Sequence, residues 1–488
     1  MEHKGEVVEA LPVDRHGEVS HHIHDYDVDP QAERALVRKL DKRIAPLVFC
    51  LYLFNALDRS NLGNAETDGF TTDLHFGTND YSLMLSLFYI PFCCLTFPGV
   101  ALTKKIGAHI TLPLYMMVFG AMVMINAGVK NIGGCLVVRI LIGAAEAGFA
   151  TSIIWYLTTF YRRGELAKRV AAFYSASAFS GAVSGLIAYG VFQADSALYG
   201  WQLLFLIEGG VTVLIALLSV FILPRNIETA NFLNDEEKRI ATLRVLKDSS
   251  HQISQKLTVA AFFKPLADWK VYVLAVIGIC YGTAASSVSI FLPQIIERME
   301  TSTLRINLLT VAPNFVGGLW VLLMSASSDY FRERSLHLSS SMALTMIGFI
   351  ILSQVPVENT GVQYFATFLC CMGAFVPSVL FHVFHNCNDP SDVGRGFRTA
   401  FLTFFANSAG LIASNIFMSS EAPKYPTALK VNFALLAVGI ALVLGLRTYM
   451  MLDNRKRNKA QGANWTDRDV PTAALALGPK SPEFRYFL

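Results

Sequence analysis

The sequence predicts an all-α membrane protein of twelve transmembrane helices in two six-helix bundles, and three observations carry that expectation. Of 488 residues, 53% are hydrophobic and 16% charged, whereas soluble domains carry roughly 25% charged residues. Apolar stretches of about 20 residues, the length that crosses a bilayer as a helix, recur about twelve times. They fall into two groups of six, separated by one long polar segment.

Residues 1–43 are polar and charged and read as a disordered cytosolic tail, with no basic n-region and apolar h-region of a cleavable signal. Its HHIHDYDVD stretch places His21, His22 and His24 together. Nothing apolar nearby could fold around a metal, so a metal site is not expected there. The first bundle is expected over 44–223, with spans near 44–64, 82–103, 110–129, 133–160, 170–192 and 202–223. Residues 224–270 form a cytosolic central loop. Within it NDEEKRIATLRVL begins with Asn234 as N-cap and Glu237 three residues later, a variant of the capping box. Ile240, Leu243 and Leu246 then recur at helical spacing, so a short amphipathic helix is expected. The second bundle is expected over 271–452, with spans near 271–295, 305–326, 336–354, 362–386, 398–418 and 431–452. Residues 453–488 read as a disordered cytosolic tail, whose Arg455–Lys459 cluster suits anionic lipid. The NWT sequon at Asn464 would go unused on that side.

Short-loop charge sets the orientation. Lys104, Lys105, Arg162, Arg163, Lys168, Arg169, Arg332, Arg334, Arg395 and Arg398 all fall on one side. The loop from Ser60 to Tyr81 has no Lys or Arg and carries Glu66, Asp68, Asp73 and Asp80. The positive-inside rule then places both termini and the central loop in the cytosol. A net charge of +3, with no basic run interleaved with aromatics, argues against nucleic acid as a partner. The eight cysteines show no CxxC pair and read as small core residues. No HExxH, GxSxG, P-loop or metal-ligand spacing occurs, so no enzyme activity, metal or cofactor is expected. Uphill transport would then draw on an ion gradient.

Charges on spans are costly and usually functional. Asp58 and Arg59 lie in NALDRSNLGNA at the end of the first span. Arg139 and Glu146 in RILIGAAEAGF are seven residues apart, two helical turns, so they share a face with Gly143 between them. Position alone leaves two readings open for each arginine: a partner acid that steadies the bundle, or a polar path. Glu208 in LFLIEGG reads as an acid holding a helix end near the inner loops. His382 and His385 fall near the cytosolic end of the tenth span, where interfacial packing is the expected role and a proton-linked one the alternative.

DRSNLGNA, SLFYIPFCCLTFPGVALTKKIGA, RILIGAAEAGF with WYLTTFYRRGELAKR, WQLLFLIEG, LPRNIETANFLNDEEK and SSDYFRERSLH together resemble the major facilitator superfamily. The resemblance is to its fungal allantoate permease branch of anion:cation symporters, and it runs from about Lys42 to Arg455. It implies the major facilitator fold and proton-coupled uptake of a small organic anion by alternating access. Substrates of that branch include vitamins such as nicotinate, pantothenate and biotin, and allantoate. The partners implied are a small organic anion, protons and the lipid bilayer, with no cofactor, a monomeric state and a plasma-membrane address. Related vesicular anion transporters line their path with an Arg on the first span and an Arg followed by Glu on the fourth. By that match Arg59 and Arg139 bind substrate, Glu146 and Asp58 couple protons, and Asp329 and Arg334 form a gating contact. Departures from the pattern are Thr103 where an Asp often sits, Ala150 for Pro, Gln202 for Arg, and no Arg in YGTAASSVSIFLP. An exporter of a fungal secondary metabolite on the same fold, or a nutrient sensor, are the alternatives. Asn314, Asn407 and Asn415 are expected to help select the substrate.

Overall fold

A computed structural model describes residues 29–250, 264–388, 392–462, 464–466 and 481–488; the tail bearing His21, His22 and His24 lies outside it. The first helix, α1 (Pro30–Thr67), starts where the Asp29 carboxylate accepts from the backbone N–H groups of Gln31 and Ala32, with Pro30 in its first turn. Residues 30–43, expected as tail, are therefore the opening turns of a 38-residue helix. Leu36, Leu40 and Ile44 recur at helical spacing and are buried, so this extension has its own packing face.

The N-terminal bundle continues through a one-turn α2 (Phe70–Asp73), then α3 (Asp80–Cys94) and α4 (Thr96–Ile106), α5 (Ala108–Asn126), α6 (Ile132–Glu146) and α7 (Phe149–Thr158), α8 (Arg163–Val191) and α9 (Gly200–Ile222). The central loop holds α10 (Asp235–Ser250). The C-terminal bundle comprises α11 (Trp269–Glu297), α12 (Thr303–Phe331), α13 (Ser335–Gln354), α14 (Thr360–Ala374) and α15 (Val376–Cys387), α16 (Asp392–Ile416) and α17 (Pro426–Gln461). Among the described residues, ten helices are long and apolar enough to cross a membrane, or eleven if the pair α3–α4, bent by 48°, counts as one span. The helix α1 completes the twelve. It falls short on apolar character because Asn55, Asp58, Arg59, Asn61 and Asn64 line it, and four of these five are almost fully buried. A polar line sealed inside a bundle marks a path rather than a lipid face.

Three spans are interrupted: α3–α4 at Leu95, α6–α7 at Ala147 and Gly148, and α14–α15 at Phe375. Gly148 sits at φ 82°, a left-handed conformation that only glycine adopts at little cost. The breaks in α6–α7 and α14–α15 fall in the fourth span of each bundle. Paired broken helices in the two halves are the usual mark of a midplane binding site. The hydroxyl of Thr103 bonds to Ser152 Oγ at 2.8 Å and accepts from Thr111 Oγ1 at 3.1 Å, a neutral hydroxyl cluster.

Both ends of the described chain lie on one face, here the terminal face. On the far face the bundles are joined: Thr303 Oγ1 donates to Thr67 O at 3.0 Å and Asn307 Nδ2 to Thr67 Oγ1 at 3.1 Å. Asn415 Nδ2 donates to Ser86 Oγ at 2.9 Å on the same side. On the terminal face α10 is docked on the N-terminal bundle. Its capping box is complete, with Glu237 N donating to Asn234 Oδ1 at 2.7 Å and Asn234 N to Glu237 Oε2 at 2.9 Å. Lys39 holds Glu237 at 2.7 Å, Arg162 holds Glu33 at 2.5 Å, and Arg244 pairs with Glu165.

The region 453–488, expected as a disordered tail, is corrected by the structure at both ends. The last helix runs to Gln461, and residues 481–488 pack on the C-terminal bundle with Phe484 and Tyr486 buried. Their aromatic side chains are what a composition reading of a basic tail passes over.

Candidate functional site

Four charges meet inside the N-terminal bundle, from two helices. Arg139 NH1 lies 3.3 Å from Asp58 Oδ2, and Arg59 NH2 lies 3.3 Å from Glu146 Oε2. Adjacent residues of α1 thus serve partners two turns apart on α6. Helical rise would separate those partners by about 10 Å, and only the long guanidinium stems bridge that distance. The helix α6 approaches α3 closely through Gly143, where a Cβ would stand 2.2 Å from Phe88 O. It ends at Glu146, one residue before the break. The break therefore delivers a carboxylate to the middle of the protein.

The two pairs differ in surroundings. Asp58 and Arg139 are sealed, with side chains 4% and 3% exposed, and neither is among the lining of the cavity that Arg59 reaches. Asp58 Oδ1 and the Arg139 Nε and NH2 atoms are buried without a hydrogen-bond partner, so this pair keeps unused hydrogen-bonding capacity. Arg59 is 26% exposed and Glu146 fully buried, and both line a cavity of about 130 Å³ between the bundles. The guanidinium of Arg59 lies 4.7 Å from the Phe92 ring centroid and 5.4 Å from that of Phe88. Aromatic faces hold a guanidinium while leaving its N–H edge free for an anion.

The rest of the cavity is aromatic and hydroxyl-rich, with Tyr52, Tyr89, Tyr174, Tyr281 and Ser286 among its lining. It extends toward the terminal face past Thr151 and His382. His382 stacks on Tyr174 of the other bundle at 6.3 Å and 18°, and its Nδ1 lies 3.1 Å from His385 Nε2. Packing was the expected role for this histidine, with a proton-linked role as the alternative; it packs on Tyr174 and also lines the cavity. The break at Phe375 turns α15 so that His382 faces inward, which spacing alone does not reveal.

The other expected residues fall as follows. Asn407 lines the cavity; Asn314 is buried on α12, donating to Thr310 O at 3.0 Å; Asn415 makes the far-face bond to Ser86. Glu208, expected at a helix end near the inner loops, lies well inside α9, which starts on the far face. Both its oxygens are buried without a hydrogen-bond partner. Asp329 and Arg334 pair with each other at 2.5 Å on the terminal face and are not among the cavity lining. Among the described residues no group of three His, Cys, Asp or Glu could hold a metal ion. The tyrosines were missed because a Tyr on an apolar span looks like core until its neighbours are known.

The sequence profile of the Major Facilitator Superfamily matches residues 48–414. The MFS-type transporter efuF of Hormonema carpetanum is 46% identical over 452 residues, covering 92% of each chain. The high-affinity nicotinic acid transporter of Saccharomyces cerevisiae is 28% identical, over 93% of this chain and 85% of that one. A bacterial homologue of the human lysosomal transporter Spinster shares the fold, with a TM-score of 0.58 and 11% identity over 86% of this chain and 95% of that one. With two six-helix bundles, paired broken spans and a charged cavity between them, the chain belongs to the major facilitator superfamily and is a multi-pass membrane transporter of small molecules.

Proposed function

We propose that the protein imports a small organic anion together with protons, by alternating access. The observation that carries this reading is the Arg59–Glu146 pair at the cavity wall, held at 3.3 Å with Arg59 partly open to the cavity. An incoming carboxylate can take two parallel hydrogen bonds from a guanidinium and so compete with Glu146 for Arg59. A buried carboxylate stripped of its partner costs several kcal/mol if it stays ionised, so substrate binding and protonation of Glu146 are linked. Asp58 and Arg139, behind the wall, form a second acid–base pair that can open when the bundles move.

Size and lining narrow the substrate. An apolar cavity of about 150 Å³ holds one benzene ring, and this one is close to that in volume, at about 130 Å³. Tyrosine faces at that scale suit a planar ring carrying one carboxylate, and the similarity to a nicotinic acid transporter supports that class. On this reading the terminal face is cytosolic, in line with its basic loops, and the membrane is the plasma membrane. The protein works as a monomer, since both bundles of one chain complete the cavity.

Uptake of labelled nicotinate, benzoate, pantothenate and allantoate into cells lacking their own carriers tests this, with native protein, Arg59→Ala and Glu146→Gln compared at two external pH values. A ring carboxylate should be taken up, and Arg59→Ala should abolish its uptake. Glu146→Gln should remove the dependence on a proton gradient. Unchanged proton dependence in Glu146→Gln would sink the coupling role.

A further inference from the structure

Residues 481–488, SPEFRYFL, are held on the terminal face of the C-terminal bundle by contacts characteristic of peptide recognition. Asn454 Nδ2 donates to Tyr486 O at 2.9 Å while its Oδ1 accepts from Tyr486 N at 2.8 Å. Asn388 does the same for Phe487, at 2.9 Å in both directions. A side-chain amide that takes both the N–H and the C=O of one residue makes the two bonds a neighbouring strand would make, and so binds extended backbone. Arg334 N adds a third backbone anchor, donating to Leu488 O at 2.7 Å.

Side chains add selectivity. Lys270 Nζ donates to the Tyr486 hydroxyl at 3.1 Å and lies 5.1 Å from that ring's centroid. The Phe487 ring is faced by Arg332 at 5.4 Å and Arg334 at 5.5 Å. Arg485, 2% exposed, donates to Asn458 Oδ1 at 2.7 Å and Gln461 Oε1 at 2.6 Å. These partners come from the start of α11, the α12–α13 turn, the end of α15 and the far reach of α17.

The α12–α13 turn has reason to need such support. Arg332 sits at φ 53°, a left-handed conformation unfavourable for a residue with a side chain. Two residues on, Arg334 pairs with Asp329 at 2.5 Å and donates to Ser328 Oγ at 3.0 Å. The docked segment touches this turn twice through arginine–aromatic contacts and once through backbone.

We propose that residues 481–488 are a releasable intramolecular ligand of this groove, whose docking ties the terminal ends of four spans together and sets the α12–α13 turn, with its Asp329–Arg334 pair. Nineteen residues, 462–480, join the segment to Gln461. Because the segment belongs to the same chain as its groove, modest anchors suffice to hold it, and a free peptide has to outcompete a local ligand to displace it. Release frees the turn between α12 and α13 on the terminal face of the C-terminal bundle. The proposal stands whether or not the transported molecule is an organic anion.

The test compares the full-length chain in lipid nanodiscs with its Tyr486→Ala/Phe487→Ala variant, which keeps every span intact. Hydrogen exchange over 328–338 should rise roughly tenfold in the variant, while α3 and α6 exchange as before. A fluorescein-labelled SPEFRYFL peptide should bind the variant, whose own segment no longer competes, and restore protection of that turn. It should bind the native chain at least about tenfold more weakly. Exchange unchanged within about twofold, or equal binding of a scrambled peptide, overturns the proposal. General loss of protection, α3 and α6 included, also overturns it, because the segment would then be a fixed part of the fold.

Discussion

The far-face seal offers the sharpest test of alternating access in this chain, through Gly63. This residue of α1 faces α11 across the bundle interface, and a Cβ built on it would stand 2.1 Å from Ile290 O. Real Cβ atoms essentially never come closer than 3.0 Å, so Gly63→Ala forces the two backbones apart by about 0.9 Å. No side chain can rotate away, since the clashing atom is a backbone carbonyl. Overpacking of this kind costs about 1–3 kcal/mol. The cost applies only while the far face is closed, so it becomes a conformational bias of about 5- to 150-fold toward the far-open state. Spin labels at Asp195 and Glu358, exposed on the far face of the two bundles, would report it by pulsed dipolar distances. Cys94 and Cys387, both exposed, would first be replaced by Ser. Gly63→Ala should move population from the short to the long distance, while Gly190→Ala, with nothing within 4 Å, should leave the distribution as it was. An unchanged distribution in Gly63→Ala, with the protein folded, would refute the reasoning, because the clash would then be relieved without opening.

Three further outcomes are expected. Gly148→Ala places a side chain at φ 82° with its Cβ 3.0 Å from Thr96 O, which should cost about 1–2 kcal/mol; thermal unfolding should show a lowered midpoint, with uptake reduced by displacement of Glu146. The docking of α10 should depend on pH: hydrogen bonds from Lys39 hold the Glu237 carboxyl below its ordinary range. A lowered folded value means that the contribution is present above the ordinary value and lost as pH falls through the lowered one. Hydrogen exchange over 235–244 should therefore rise as pH falls below the ordinary carboxylate range, less so in Lys39→Ala, and an equal rise in both would exclude the Lys39–Glu237 contact as the cause. Asn388→Leu removes one of the two amide clasps on the 481–488 segment and should raise its protease cleavage several-fold, and cleavage equal to native would mean that this clasp adds nothing.

Much of the fold is legible in the chain itself, because spanning a bilayer needs long apolar helices and those are written in composition. The mistakes sit at the ends. Residues 30–43 look like a solvated tail, yet Leu36 and Leu40 repeat at helical spacing and bury against neighbouring helices. Residues 481–488 look like the end of a basic tail, yet their aromatic rings meet Lys270, Arg332 and Arg334 from distant parts of the sequence. Both segments are stabilised by contacts that no local pattern displays.

The sequence by itself determined the membrane class, the division into two bundles around a polar loop, and the four charged residues Asp58, Arg59, Arg139 and Glu146. Each follows from the cost of moving polar groups into lipid, which makes such residues conspicuous without a structure. Only the tertiary structure decided how the four pair. Two acids and two arginines allow several combinations, and the break at Gly148, the approach of α6 to α3 and the reach of the guanidinium stems select one. That selection leaves Arg59 and Glu146 on the cavity wall and shuts Arg139 with Asp58 behind it.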